Sequence, residues 1–91
     1  MRKITSEIVG AFLEKRKASK GNTSSSGDIL KLHGNDIAEW RGRELWISNG
    51  GWSSDTTKER LNAIDGVKVS QKNFEWFLNG HKWKGEWIKI K

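Results

Sequence analysis

Six tryptophans are the residues of this 91-residue sequence best suited to forming a binding surface, and the chain has no tyrosine, cysteine or proline. Each indole buries a large apolar area and offers one N–H donor, so tryptophan serves both in cores and in contact surfaces. A small domain needs only some of them in its core, and the others are candidates for contact with a partner. The six are Trp40, Trp46, Trp52, Trp76, Trp83 and Trp87.

The charge of the chain is a second chemical feature. Seventeen lysines and arginines against eleven acidic residues give a net charge of +6 and a pI near 9.8. Such an excess attracts polyanions through counterion release and steering, and it also suits an acidic protein surface. The alternative is that the net charge serves only solubility, since a charge of this size is ordinary in a small domain. Aromatic planes among cations therefore indicate a binding protein without identifying its ligand.

One group of cations lies beside the small polar residues of GNTSSSG. We expect these side chains to contact phosphates, because flexible backbone N–H groups and hydroxyls follow them in the sequence. The alternative is a solvated helix end and a linker. No glycine-rich loop ending in Lys-Ser or Lys-Thr is present, so nucleotide hydrolysis has no support. The group consists of Lys15, Arg16, Lys17 and Lys20.

A second group combines tryptophan with lysine near the last residues of the sequence. Trp87, Lys89 and Lys91 alternate with Ile88 and Ile90, so they share one face of a predicted strand. This stripe is typical of a surface on which single-stranded nucleic acid stacks. The alternative is cross-strand packing with lysines that protect a sheet edge from aggregation.

The other tryptophans are assigned from their neighbours. Trp46 faces away from the apolar residues on either side of it and joins the predicted stacking surface, although the first helix could cover both Trp46 and Trp40. Trp76 alternates with apolar residues and is predicted to lie in the core. Trp52 precedes a helix start and is expected to hold that helix against the sheet.

Two histidines in predicted hairpin turns are the only candidates for catalysis. His33 and His81 could act as acid and base, or bind a metal with Asp36. Histidines in turns usually face solvent, and no HExxH, paired-carboxylate motif or nucleophile elbow is present. We therefore expect a protein that is not an enzyme and that carries no metal or other cofactor.

The hydrophobic pattern predicts a single α+β domain over residues 1–91. A helix is expected over 1–18, a flexible loop over 19–28, and an antiparallel sheet of five to six strands over 29–91. A short second helix is expected near 56–64, after the third strand.

Local turn chemistry supports these boundaries. Thr56 and Glu59 have the spacing of a capping box, and Gly66 can end the second helix. Asn79 and Gly80 are the strongest hairpin signal in the chain.

The segments GNTSSSG, LKLHGNDIAEW and LWISNGGWSSDTTKERLNAIDGVKVSQKNFEWFLNG resemble small proteins encoded by tailed bacteriophages and prophages. The resemblance covers about residues 21–90. It implies a protein made in the cytoplasm of a bacterial host, and it transfers no activity and no functional residue. By analogy, small phage proteins of this kind often bind nucleic acid or block a host protein.

A weaker resemblance concerns topology alone. The order helix, three strands, helix is that of double-stranded-RNA-binding domains, whose second helix places lysines on phosphates. Lys58 and Arg60 stand at the corresponding place here, but the lysine cluster and the glycine-rich lead are missing.

These observations favour a small protein that binds nucleic acid without sequence specificity. No exposed helix rich in arginine, asparagine and glutamine is predicted, so base recognition is not expected. One alternative is a host-takeover or anti-defence protein that docks on a bacterial protein through the same tryptophans. Another is a minor virion or assembly component. No stretch approaches the roughly 20 apolar residues of a membrane span, and the first residues are expected to belong to the folded domain.

Overall fold

The first helix forms where apolar residues recur at helical spacing. In the computed structural model, which describes residues 3–51 and 54–91, α1 spans Lys3–Leu13 and buries Ile8, Val9 and Phe12. The helix ends well before residue 18, because Lys15 takes a left-handed conformation with φ of 58°. The N–H groups of Lys15 and of the next residue then donate to the carbonyls of Phe12 and Ala11, which closes a Schellman motif.

The predicted flexible loop over 19–28 is wrong, because most of it forms a β-hairpin. Strands β1 (Lys17–Lys20) and β2 (Thr23–Ser26) pair in antiparallel register. Thr23 and Ser25 are buried, and the Ser25 hydroxyl donates to the Arg16 carbonyl over 2.8 Å. Buried hydroxyls with partners therefore hold a segment whose composition is typical of a linker.

The other strands complete two antiparallel sheets. They are β3 (Ile29–Leu32), β4 (Asn35–Arg41), β5 (Glu44–Ile47), β6 (Val69–Lys72), β7 (Glu75–Leu78), β8 (His81–Lys82) and β9 (Ile88–Lys89). The larger sheet has the order β1-β2-β3-β4-β5-β9, and the smaller sheet has the order β6-β7-β8. The α+β class and the six-stranded antiparallel sheet are confirmed, whereas the smaller sheet was not predicted.

The second helix lies between the fifth strand and the smaller sheet in the sequence. Helix α2 spans Asp55–Asn62 and follows the fifth strand rather than the third, because the 17–26 hairpin adds two strands. Its N-cap is Ser54, whose hydroxyl accepts from the Thr57 N–H over 3.1 Å, so the predicted cap at Thr56 is wrong. The predicted role of Trp52 lies outside the described residues.

One hydrophobic core joins both helices to both sheets. Trp76 and Trp83 are 8% and 3% exposed, which confirms the core position predicted for Trp76. Trp40 is partly covered by α1, since its ring lies 5.9 Å from that of Phe12 and its indole N–H donates to the Phe12 carbonyl. Trp40 pairs with Leu45, so the next residue of that strand, Trp46, points to the opposite side of the sheet. The first helix therefore covers Trp40 and not Trp46.

A buried arginine links three parts of the fold. Arg60 of α2 is 1% exposed, and it donates to the hydroxyls of Thr5 in α1 and Thr23 in β2 over 2.6 and 2.9 Å. It also pairs with Glu59 and contacts Asn22. Because this guanidinium faces the interior, it cannot contact a phosphate as the double-stranded-RNA-binding comparison would require.

Candidate functional site

The register of the larger sheet brings the predicted stacking residues onto one face. Trp46 lies opposite Glu39 on one side and opposite Lys89 on the other. Since side chains alternate along a strand, Trp87 shares the face of Lys89. We call this side of the sheet the outer face; it carries Glu39, Arg41, Glu44, Trp46, Trp87 and Lys89.

Arg41 is a central residue of the outer face that the sequence patterns did not single out. Its guanidinium carbon lies 4.2 Å from the centre of the Trp46 ring and 5.5 Å from that of Trp87. Its Nη2 atom also lies 3.2 Å from a Glu39 carboxylate oxygen. The cation therefore packs against both indoles that were predicted to stack on bases. The sequence signal that could have indicated this face is the spacing of two residues between Glu39 and Arg41, which places both on the same side of a strand.

An ion pair occupies the edge of the same face. The Lys89 ammonium lies 2.9 Å from one Glu44 oxygen, and the Trp46 indole N–H donates to the other over 3.3 Å. The Lys89 hydrogen bond, followed by that of Trp46, holds the pKa of the Glu44 carboxyl below its ordinary value. The outer face thus carries charges of both signs rather than the purely cationic stripe predicted from sequence.

Three of the four cations predicted to bind phosphate lie at one end of the larger sheet. The Lys15 ammonium donates to the Gly42 carbonyl over 3.2 Å and lies 4.9 Å from the Trp40 ring centre, which joins the end of α1 to the turn 41–44. Arg16 lies 3.0 Å from Glu14, and Lys17 begins β1 opposite Ser26.

The last residue of the chain reaches the same end. The Leu45 N–H donates to the Lys91 carbonyl over 3.0 Å, so Lys91 lies beside the turn that carries Arg43. The six cations here outnumber the four nearby carboxylates, which are those of Glu14, Asp28, Glu39 and Glu44. We call this cluster the basic end; it consists of Lys15, Arg16, Lys17, Arg41, Arg43 and Lys91.

Lys20 does not belong to the basic end. It lies at the far end of β1, where the chain turns through Gly21 and Asn22. Its ammonium is 3.5 Å from a Glu7 carboxylate oxygen of α1. The structure therefore separates Lys20 from the cations with which it was grouped by sequence.

The two histidines do not form a site together. His33 lines a cavity beside Thr57, and its Nε2 lies 3.3 Å from the Asn22 amide nitrogen, whereas His81 lines a different cavity beside Ile88. Within residues 3–51 and 54–91, no cluster of three or more His, Asp and Glu side chains could hold a metal ion.

No helix among the described residues is long and apolar enough to cross a bilayer.

Comparisons with known proteins assign the chain to a family. A comparison with curated proteins finds no match, and a comparison with solved structures finds none either. A family model described as Kyanoviridae Gp96 protein matches residues 1–90, almost the whole chain. Kyanoviridae is a family of bacteriophages, in agreement with the resemblance to small phage proteins. The chain therefore belongs to the Kyanoviridae Gp96 protein family.

Proposed function

We propose that this phage protein binds nucleic acid without sequence specificity, as a non-enzymatic protein in the cytoplasm of the infected bacterium. The observation that supports the proposal most directly is the basic end, where cations from the segment after α1, from β1, from the turn 41–44 and from Lys91 lie at the same end of the larger sheet. Lysines and arginines that neutralise phosphates release the counterions condensed on the nucleic acid. Lys17 and Arg43 form no ion pair with another described residue, so both are available for such contacts.

The interior contacts of α2 support binding without sequence specificity. Arginine and asparagine are the residues that most often read base edges from a helix. In α2, Arg60 is buried, and the Asn62 amide exchanges two hydrogen bonds with the backbone of Val69 over 3.0 and 2.6 Å. Neither side chain is free to read bases, so phosphate contacts and stacking would dominate.

The outer face offers a stacking platform beside the basic end. Trp46 and Trp87 are partly exposed, and Arg41 holds both rings in place. Bases stack on indole and guanidinium planes without regard to sequence. Contact with a base at Trp87 would therefore add affinity to phosphate contacts at Lys17, Arg43 and Lys91.

A binding measurement tests this function directly. Fluorescence anisotropy of labelled oligonucleotides of unrelated sequence should give similar affinities that fall between about 50 and 200 mM salt. The double variant Lys17→Gln/Arg43→Gln should weaken binding and reduce the salt slope by about 1.4 for single strands, because two phosphate contacts are lost.

A matched variant at the other end of the molecule is the control. Lys3→Gln/Lys20→Gln removes the same charge from two residues that both contact Glu7. This control should leave the slope close to that of the parent protein. Binding that ignores salt, or equal losses in the two double variants, would contradict the proposal.

Docking on a host protein is the second candidate. A cavity of about 280 Å³ beside β9 is lined by Leu78, Trp83, Ile88 and Ile90, and Ile88 is 36% exposed at a sheet edge. Apolar side chains at such a position suit a protein partner. A pull-down from nuclease-treated bacterial lysate separates the two functions, because only a protein partner survives the treatment.

A further inference from the structure

The hairpin between β6 and β7 carries an aromatic residue where the chain elsewhere uses glycine. Lys72 pairs with Glu75, so Asn73 and Phe74 form the loop, and their φ angles are 51° and 65°. Two successive positive φ angles are characteristic of a type I′ turn, which strongly prefers glycine at its second position. The loop after Leu78 follows that rule with Asn79 and Gly80.

The β3–β4 loop follows the same rule. There His33 and Gly34 have φ angles of 54° and 80° between the paired residues Leu32 and Asn35. Phe74 thus occupies the place of Gly34 and Gly80, in a conformation that is sterically unfavourable for a bulky side chain.

Burial does not compensate for this unfavourable conformation. The Phe74 side chain is 95% exposed, the highest exposure among the large hydrophobic residues described. An aromatic ring held in water at a strained position contributes nothing to the core. Strain of this kind is concentrated at functional sites, which makes the ring a candidate for contact with a ligand.

Two neighbouring cavities connect Phe74 to the outer face. The first, of about 460 Å³, is lined by Phe74, Trp76, Trp83 and Lys84. The second, of about 720 Å³, is lined by Lys84 and Trp87. Because Lys84 lines both, the surface continues from the hairpin tip to Trp87, whose ring is packed by Arg41 of the basic end.

We propose that this continuous surface binds single-stranded nucleic acid and that Phe74 stacks on an unpaired base. The inference rests on the proposed function and adds its substrate class. The exposed ring of Phe74 is followed along this surface by Lys84, Trp87 and Arg41, with the carboxylates of Glu75 and Glu86 beside them. A single strand, in which bases and phosphates alternate, can use such a succession of rings and cations. A duplex keeps its bases stacked inside the helix, so it can reach the basic end but offers no base to Phe74.

The test compares two substitutions at one position. Phe74→Gly removes the ring and relieves the backbone strain, so the melting temperature should rise while affinity for labelled oligothymidine falls about tenfold. Affinity for a duplex should stay unchanged. Phe74→Trp keeps an aromatic plane and should retain the affinity for oligothymidine. A single strand carrying 5-iodouracil should photo-crosslink to Phe74 in the parent protein.

Each other outcome would reject the inference in a recognisable way. Unchanged oligothymidine binding by Phe74→Gly would overturn it, while salt-dependent binding by the parent protein would still support the proposed function. Equal losses for single strand and duplex would also overturn it. Self-association abolished by Phe74→Gly would instead assign the tip to a second copy of the chain. A parent protein that binds neither oligonucleotide would overturn both proposals.

Discussion

Arg41 determines what the two predicted stacking tryptophans can do. The alternation of Trp87 with Ile88 predicted its side of the strand correctly, because side-chain direction follows from a period of two. That pattern could not predict Arg41 above the rings, since the contact depends on which strands are neighbours. A guanidinium between Trp46 and Trp87 covers part of each ring and places a cation within the stacking surface.

The carboxyl of Glu44 gives a pH-dependent prediction. Its pKa is below the ordinary value of 4.5, chiefly through the Lys89 hydrogen bond, so its contribution to stability is present above that value. The contribution is lost as the pH falls through the lowered pKa. Lys89→Met should raise the pKa of Glu44, measured by carbon-13 NMR titration of the carboxyl carbon. Lys91→Met is the control, and an unchanged midpoint in Lys89→Met would contradict the assignment.

At the scale of elements, prediction succeeded where local chemistry decides the structure. Asn79 and Gly80 form the expected turn because their preference for positive φ is intrinsic. The 17–26 hairpin was not found, because serine, threonine and glycine are equally typical of linkers. What orders it is the burial of Thr23 and Ser25 against partners that only the folded chain supplies.

Gly85 gives a prediction about the connection between the two sheets. An added Cβ would overlap the Asn49 side chain, and the Asn49 N–H donates to the Gly85 carbonyl over 2.9 Å. Gly80 has a similar φ, 88° against 93°, but no described atom within 4 Å of the added Cβ. In urea unfolding, Gly80→Ala should cost about 1 kcal/mol, and Gly85→Ala about 2 kcal/mol more. Equal costs would show that Asn49 moves freely.

At the scale of the whole molecule, composition and periodicity predicted the α+β class but not the division into two sheets. Strands β3 to β9 were recognisable from their own residues, whereas the pairing of β9 with β5 spans α2 and the smaller sheet. The burial of Arg60 could not be predicted from sequence either, because the sequence suggested that this residue is a surface cation. Only the packing of α1, β2 and α2 around it shows that it is buried.

Arg60 should therefore control the stability of the whole fold. Arg60→Gln leaves the groups around it without their cation, and we expect a loss of about 3 kcal/mol in the free energy of unfolding. Lys58→Gln is the matched control in the same helix, since Lys58 pairs with the 95% exposed Asp55 and donates to Gln71, and its loss should change stability by about 1 kcal/mol or less. Tryptophan fluorescence during urea unfolding measures both. A small loss for Arg60→Gln would mean that the buried network contributes little.

The strand order of the larger sheet also implies an order of folding. Strands β1 to β5 are neighbours in sequence as well as in space, so each hairpin closes a short loop at small entropic cost. Strand β9 has by far the longest loop to close, and long-range pairings of this kind form slowly. The first five strands should therefore assemble early, and β9 should join last. Trp87 and Lys89 arrive with β9, so a partly folded chain lacks the stacking surface.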